Sequence, residues 1–233
     1  MLPLYEAKMI HHYDTRWATY EPDGSTRYLT EGEKADLVAP MPRYWVAKRA
    51  IDSKVGATWN KDWFLGWRRI ARSTDERTLI ASMAPKVAFG DSIFLMLPTK
   101  APEHRAMLQA ALTSYALDFA ARQKIGGTNA SFFLIEQLPV PAPGTQLVRV
   151  DTEWVGSRVD RLNGWVADID ERSRIRAELD AYFFHLYGLD RDDVDYVMET
   201  FPIAKRKDVA QHGSFRTKDL ILAAYDALAD AAR

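Results

Sequence analysis

Cysteine is absent from this 233-residue chain, which at one stroke excludes structural disulfides, iron–sulfur clusters, thiolate zinc sites and cysteine nucleophiles. No apolar run approaches the ~18 residues of a membrane span. His11, His12 and Asp14 stand where a secretory leader would be purely apolar. A cytoplasmic protein without a membrane partner is therefore expected. Gly-x-Gly does not occur, so the dinucleotide fingerprint and the glycine-rich loop typical of S-adenosylmethionine sites are both missing, as is a Walker loop. Neither a Pro-Pro pair nor a Gly-x-Ser-x-Gly elbow is present, and the latter absence removes the usual setting for an acyl-transfer serine.

What remains is a chain with 47% hydrophobic residues, enough for a real core, and a net charge of -1 that hides a strong segregation. Residues 43–86 carry ten basic against four acidic side chains, a net +6. Residues 151–200 carry thirteen acids and six arginines, a net -7. The basic segment is interleaved with Trp45, Trp59, Trp63 and Trp67, a mixture that suits nucleic acid because cations neutralise phosphates while aromatics pack beneath them or stack on bases. A strand-rich core with a solvated basic face is the competing reading.

Periodicity changes near residue 100. Before it, Tyr44–Val46, Trp63–Trp67, Thr78–Ala81 and Ser92–Leu97 read as strands, with turns at Pro22-Asp23-Gly24, Pro40-Met41-Pro42 and Phe89-Gly90-Asp91. Trp63 and Trp67 share one strand face and are expected in the core. After it, Leu108, Ala111, Leu112, Tyr115, Ala116 and Phe119 trace one helical stripe, with Pro102 and Glu103 in its first turn and Gly126-Gly127 at its end. Ser131–Ile135 reads as a further strand, and the prolines of 138–144 mark the best internal boundary. Ile175, Leu179, Tyr182, Phe183 and Leu186 predict a helix ending at Gly188. Val194, Val197, Met198 and Phe201 predict another ending at Pro202, and Thr217 is placed to cap a last one. The class is α+β: a strand-rich domain over 1–144 followed by a helical region over 145–233.

Motifs for chemistry are sparse. Gly126-Gly127-Thr128-Asn129 follows a helix rather than opening one, so it offers carbonyls and reads as a C-cap. His11-His12 point apart and have no His-x-x-x-His partner, so no metal site is expected. Glu6-x-Lys8 has the spacing of half a nuclease carboxylate–lysine motif, but residues 1–5 hold no acidic metal ligand.

Several stretches taken in order resemble a known family. Leu4-Tyr5-Glu6-Ala7-Lys8-Met9-Ile10, with Tyr13-Asp14 and Arg16, resembles the start of the target-recognition region of adenine-specific DNA methyltransferases of type II restriction–modification and related phage-defence systems. Leu65-Gly66-Trp67-Arg68-Arg69-Ile70-Ala71-Arg72-Ser73-Thr74-Asp75-Glu76-Arg77-Thr78 is similar to that family's basic strand-and-turn block. Asp118–Thr128 and Phe133–Val140 resemble its helix, Gly-Gly turn and proline-ended strand, which also echo the specificity subunits of type I restriction enzymes. The segments Ile175–Leu189 and Phe201–Lys218 are similar to its C-terminal end. The family's Asn-Pro-Pro-aromatic tetrapeptide is missing, Ala7 replaces an expected glycine, and Thr15 stands where a histidine is common.

The resemblance implies a DNA-recognition part without its catalytic engine. Double-stranded DNA would be one partner and a methyltransferase catalytic chain or segment the other. That partner would carry the S-adenosylmethionine; no cofactor is expected in this chain. Arg68, Arg69, Arg72, Lys124, Thr128 and Asn129 are the expected DNA contacts, arginine and lysine on guanine and asparagine on adenine. Arg77, Lys8 and Arg16 are expected on phosphate or in structural pairs. The rival reading is a truncated or stand-alone interaction protein that docks on a larger defence enzyme without reading DNA.

Overall fold

The computed structural model describes residues 1–99, 104–147, 150 and 152–231. The fold is α+β, with three small sheets among the described residues in the N-terminal part and a helical C-terminal region. Strand β1 (Leu2–Tyr5) is central in the first sheet. Strands β2 (Ala18–Tyr20) and β3 (Thr26–Tyr28) form a separate hairpin through the expected Pro22-Asp23-Gly24 turn. Gly24 sits there at φ +82°, a left-handed conformation that glycine adopts without a Cβ clash. The short helices α1 (Glu31–Ala35) and α2 (Lys48–Val55) flank β4 (Tyr44–Val46), which runs antiparallel to β1.

In the third sheet β5 (Trp63–Arg68) lies between β6 (Ala81–Pro85) and β8 (Ile93–Met96), all antiparallel. The two-residue strand β7 (Ala88–Phe89) completes the first sheet, parallel to β1. A Cβ on Gly66 would stand 2.9 Å from the Ile93 side chain and 3.1 Å from the Phe94 carbonyl, so the middle strand needs glycine at this crossing. The strand expected over Thr78–Ala81 begins only at Ala81. The amide N–H groups of Thr78 and Leu79 donate to the Asp118 carboxylate at 3.0 and 3.2 Å, which withdraws these residues from the sheet ladder.

The single helix expected through Leu108 and Phe119 is two: α3 (Arg105–Thr113) and α4 (Tyr115–Lys124). Ser114 breaks it in an extended conformation. Its hydroxyl donates to the Ala111 carbonyl at 2.8 Å and accepts from the Leu117 amide at 3.2 Å, while the Tyr115 amide donates to Asp180 at 2.7 Å. Such side-chain bonds compete with the helical ladder and cap a new start. Pro102 and Glu103 lie outside the described residues. The Ser131–Ile135 stretch, expected as a strand, is instead one helical turn, α5 (Phe132–Ile135), with the Ile135 amide donating to the Ser131 carbonyl at 3.0 Å. Only Ile135 of its four residues is buried, a pattern no alternating strand would give.

Helices α6 (Thr152–Gly164), α7 (Ile169–Leu186), α8 (Arg191–Glu199), α9 (Pro202–His212) and α10 (Arg216–Ala231) complete the chain, α6 and α9 being additions to the sequence reading. Thr217 lies inside the first turn of α10 rather than before it, and its amide donates to Asp208 at 2.6 Å. Helix α7 carries many charged residues yet buries apolar side chains on two sides. Ile175, Leu179, Tyr182 and Phe183 join Val155, Val159 and Leu162 of α6 and Met107, Ala110 and Ala111 of α3. Ala177 and Phe184 join Val194, Met198, Phe201 and Ile221. Residues on both sides of the proline-rich stretch therefore share core. Leu112 and Leu117 pack in the other direction, with Leu65, Trp67 and Leu79, so α3 and α4 are the layer that couples sheet to helices. Among the described residues no helix is long and apolar enough to cross a membrane.

Candidate nucleic-acid interface

Two stretches about sixty residues apart in sequence meet at the end of β5. The Ala130 amide donates to the Arg69 carbonyl at 2.8 Å and the Ala71 amide to the Thr128 carbonyl at 3.1 Å, which sets Ile70 opposite Asn129 in an antiparallel bridge. Trp67, buried as expected, fixes the same junction by donating its indole N–H to the Ala130 carbonyl at 2.8 Å. The stretch of Arg69 and Arg72 is thereby joined to that of Thr128 and Asn129, with Lys124 at the end of the preceding α4. Ile70 is 46% exposed and Phe133 72% exposed, while Phe132 stacks on Phe94 with ring centroids 4.4 Å apart. Arg72, Lys124, Thr128 and Asn129 are all exposed. Arg69 is held loosely, its guanidinium 3.4 Å from the exposed Asp91 carboxylate, and Lys124 reaches Gln137 at 3.4 Å.

Two of the other arginines have internal duties. Arg68 donates through Nε and Nη2 to the Ile10 carbonyl at 3.1 and 2.5 Å, and burial pulls its pKa down to about 10. Its guanidinium ties β5 to the N-terminal segment rather than projecting toward a base edge. Arg77 donates to the fully buried Asp118 carboxylate at 2.7 Å and to the Thr113 carbonyl at 2.5 Å, with the Tyr115 ring 3.9 Å away. Of the two expected roles for Arg77, the structural pair is the one observed. Arg16 lies 5.7 Å from the Trp165 ring and its amide donates to Asp14 at 2.7 Å; Lys8 is exposed, 4.8 Å from the Tyr20 ring.

The four interleaved tryptophans separate. Trp59 and Trp67 are core, and Trp63 is partly buried against it. Trp45 is 50% exposed beside the exposed Tyr44, on the edge strand β4. Arg43, 5.5 Å from the Tyr44 ring, and the exposed Arg49 and Lys54 make this a second basic and aromatic face. Glu6 accepts from the Tyr20 hydroxyl, and among the described residues no group of three or more metal-ligating side chains converges.

The blocks that carry the family resemblance are in contact through side chains. Arg68 reaches Ile10, Arg77 reaches Asp118, and Arg122 donates to the Asp75 and Glu76 carbonyls at 2.6 and 2.9 Å and to that of Thr200 at 3.0 Å. Sequence reading missed Asp118 and Arg122 as the organisers of this arrangement, though both stand in the quoted helix block. A carboxylate and an arginine at i and i+4 in an otherwise apolar helix were the available signal. Comparisons with protein-family models, curated proteins and solved structures return no match to this chain.

Proposed function

We propose that this chain is the DNA sequence-recognition part of an adenine-specific DNA methyltransferase of a restriction–modification or phage-defence system, acting in the cytoplasm. The catalytic domain and its S-adenosylmethionine belong to a separate partner. The observation that carries the reading is the pairing of Ile70 with Asn129, which joins the stretch of half-buried Arg69 and exposed Arg72 to that of exposed Thr128 and Asn129, with exposed Lys124 ending the helix before it. Arginine, lysine and asparagine are the side chains that read base edges, and a rigid backbone pairing beneath them holds their register. Division of labour is physically reasonable, because an enzyme that flips an adenine into its pocket needs another surface to hold the surrounding duplex.

Fluorescence-anisotropy titration of a labelled duplex at several salt concentrations tests the proposal. Neutralising four to six phosphates gives a log–log salt slope of roughly -4 to -5. A slope near zero, or no duplex binding at low salt, contradicts it. The rival, docking on a larger enzyme without DNA, is favoured by the exposed Tyr28, Leu37, Val38 and Met41, apolar groups close together in sequence near the β2–β3 hairpin. It takes precedence if the duplex does not bind.

A further inference from the structure

Beneath the N-terminal segment lies a cavity of about 180 Å³ that the DNA-reading proposal does not use. Its walls come from the His11–Tyr13 turn, the α3–α4 break, the middle of α7 and the start of α10. At about 30 Å³ per liquid water, the space admits a phosphate-sized group with a few waters. Its lining is unusually polar for an interior: Arg77, Arg176, His12, Tyr13, Asp180 and Glu76 all border it, Glu76 being already paired with Lys207.

The charged groups at this cavity are only partly paired. Arg77 is neutralised by Asp118 at 2.7 Å. Arg176 has no carboxylate within 4.0 Å among the described residues; its Nη2 donates to the His12 carbonyl at 3.1 Å, and its buried Nε has no acceptor. An arginine cannot shed its proton at any physiological pH, so this guanidinium stays charged. Asp180 on the same helix and Asp14 attract that charge from a distance, and Asp180 accepts from the Tyr115 amide at 2.7 Å. Neither supplies an acceptor for the Nε donor, which an anion in the cavity would do.

The adjoining imidazole is unsatisfied as well. His12 is only 4% exposed and its Nε2 has no hydrogen-bond partner. It is held there by a strained turn: Tyr13 sits at φ +58°, closed by the His11 amide donating to the Asp14 carbonyl at 2.6 Å and anchored by a 2.6 Å bond between the Tyr13 and Thr113 hydroxyls. Non-glycine residues in this conformation persist only where the surroundings enforce them, and such strain gathers at ligand sites. A guanidinium with an unmade Nε bond and an unpartnered imidazole nitrogen beside one cavity are donors that suit an oxyanion.

We infer that this cavity binds a small oxyanion, a phosphate-type group, with Arg176 as its counter-charge and His12 Nε2 as a hydrogen-bond donor. Apolar walls from Ala110, Leu179 and Leu220 leave room for a small organic body attached to it. The site is separate from the Arg69–Asn129 edge and stands or falls independently of DNA reading.

Thermal melting of the full chain with inorganic phosphate, sulfate and adenosine monophosphate, followed by isothermal calorimetry, tests this. At a hundredfold excess over Kd the midpoint should rise by roughly 5–10 °C. A rise with the free ions identifies the ion itself as ligand; a rise confined to the nucleotide shows that the oxyanion arrives attached to an organic body. Arg176→Gln should abolish the rise, and its own ligand-free melting gives the baseline for that comparison. His12→Gln should weaken binding about tenfold. The rise should persist in the Arg69→Ala, Arg72→Ala, Lys124→Ala variant. No rise with any of the three probes overturns the inference. So does a rise that survives in Arg176→Gln, or one lost only in the surface variant.

Discussion

Asp118 receives the Arg77 guanidinium and the Thr78 and Leu79 amides inside the protein, and its own exposure is nil. Asp180, on α7, has a different fate. Burial pushes its carboxyl up to about 6, with Arg77 and the Tyr115 amide opposing that rise. A carboxyl that binds its proton more tightly when folded adds stability below its ordinary value near 4, and this contribution is lost as pH rises through about 6. Asp180→Asn keeps an oxygen for the Tyr115 amide and removes the titration. The variant should therefore gain on wild type between pH 4 and 7 by about 3 kcal/mol, for a shift of about two pH units. Urea unfolding at several pH values measures it, and a stability difference independent of pH contradicts the assignment. Little of this was legible in the sequence: Asp180 reads as one of the thirteen acids of residues 151–200, and nothing local says that the Tyr115 amide, 65 residues away, faces it.

The elements most readable in the sequence are those whose pattern and packing agree. β5 is recognisable as a continuous apolar run because both of its faces are buried, Phe64 on one and Leu65 and Trp67 on the other, and α7 follows its stripe because both of its sides meet other helices. The α3–α4 break was hidden because the apolar positions keep their helical spacing straight through it. Only the adjacent hydroxyls of Thr113 and Ser114 signal a kink, and they act through bonds back to the Gln109, Ala110 and Ala111 carbonyls. Ser114→Ala should cost about 1 kcal/mol, the usual worth of an N-cap. In a chain of this size that lowers the melting midpoint by about 2–4 °C. An unchanged or raised midpoint would mean that α3 and α4 prefer one continuous helix. α5 was misread for the opposite reason: a short apolar run carries no period, and burial of Ile135 alone decides it.

Across the whole molecule, the coarse division into a strand-containing N-terminal part and a helical C-terminal region was evident from the change of period, whereas the candidate interface was not. Composition placed ten basic side chains in residues 43–86 without distinguishing their duties. The fold places Arg68 and Arg77 inside and Arg43, Arg49, Lys54 and Arg72 outside. It joins Arg69 and Arg72 to Lys124 and Asn129 through a bridge that no local pattern announces. The acidic segment over 151–200 is partly consumed in pairs within and between helices, such as Arg158 with Glu178 and Lys218 with Asp195 and Glu199.

The central claim is that the Arg69–Asn129 edge reads DNA, and the most direct test compares wild type with the Arg69→Ala, Arg72→Ala, Lys124→Ala variant by anisotropy titration on one duplex, alongside circular-dichroism melting. Arg72 and Lys124 are exposed, and half-buried Arg69 has only a 3.4 Å pair with the exposed Asp91, so all three contribute little to folding. The variant should melt within about 2 °C of wild type. It should also bind duplex at least tenfold more weakly, with a log–log salt slope shallower by about 2–3. A folded variant that binds duplex with unchanged affinity and slope would contradict the claim.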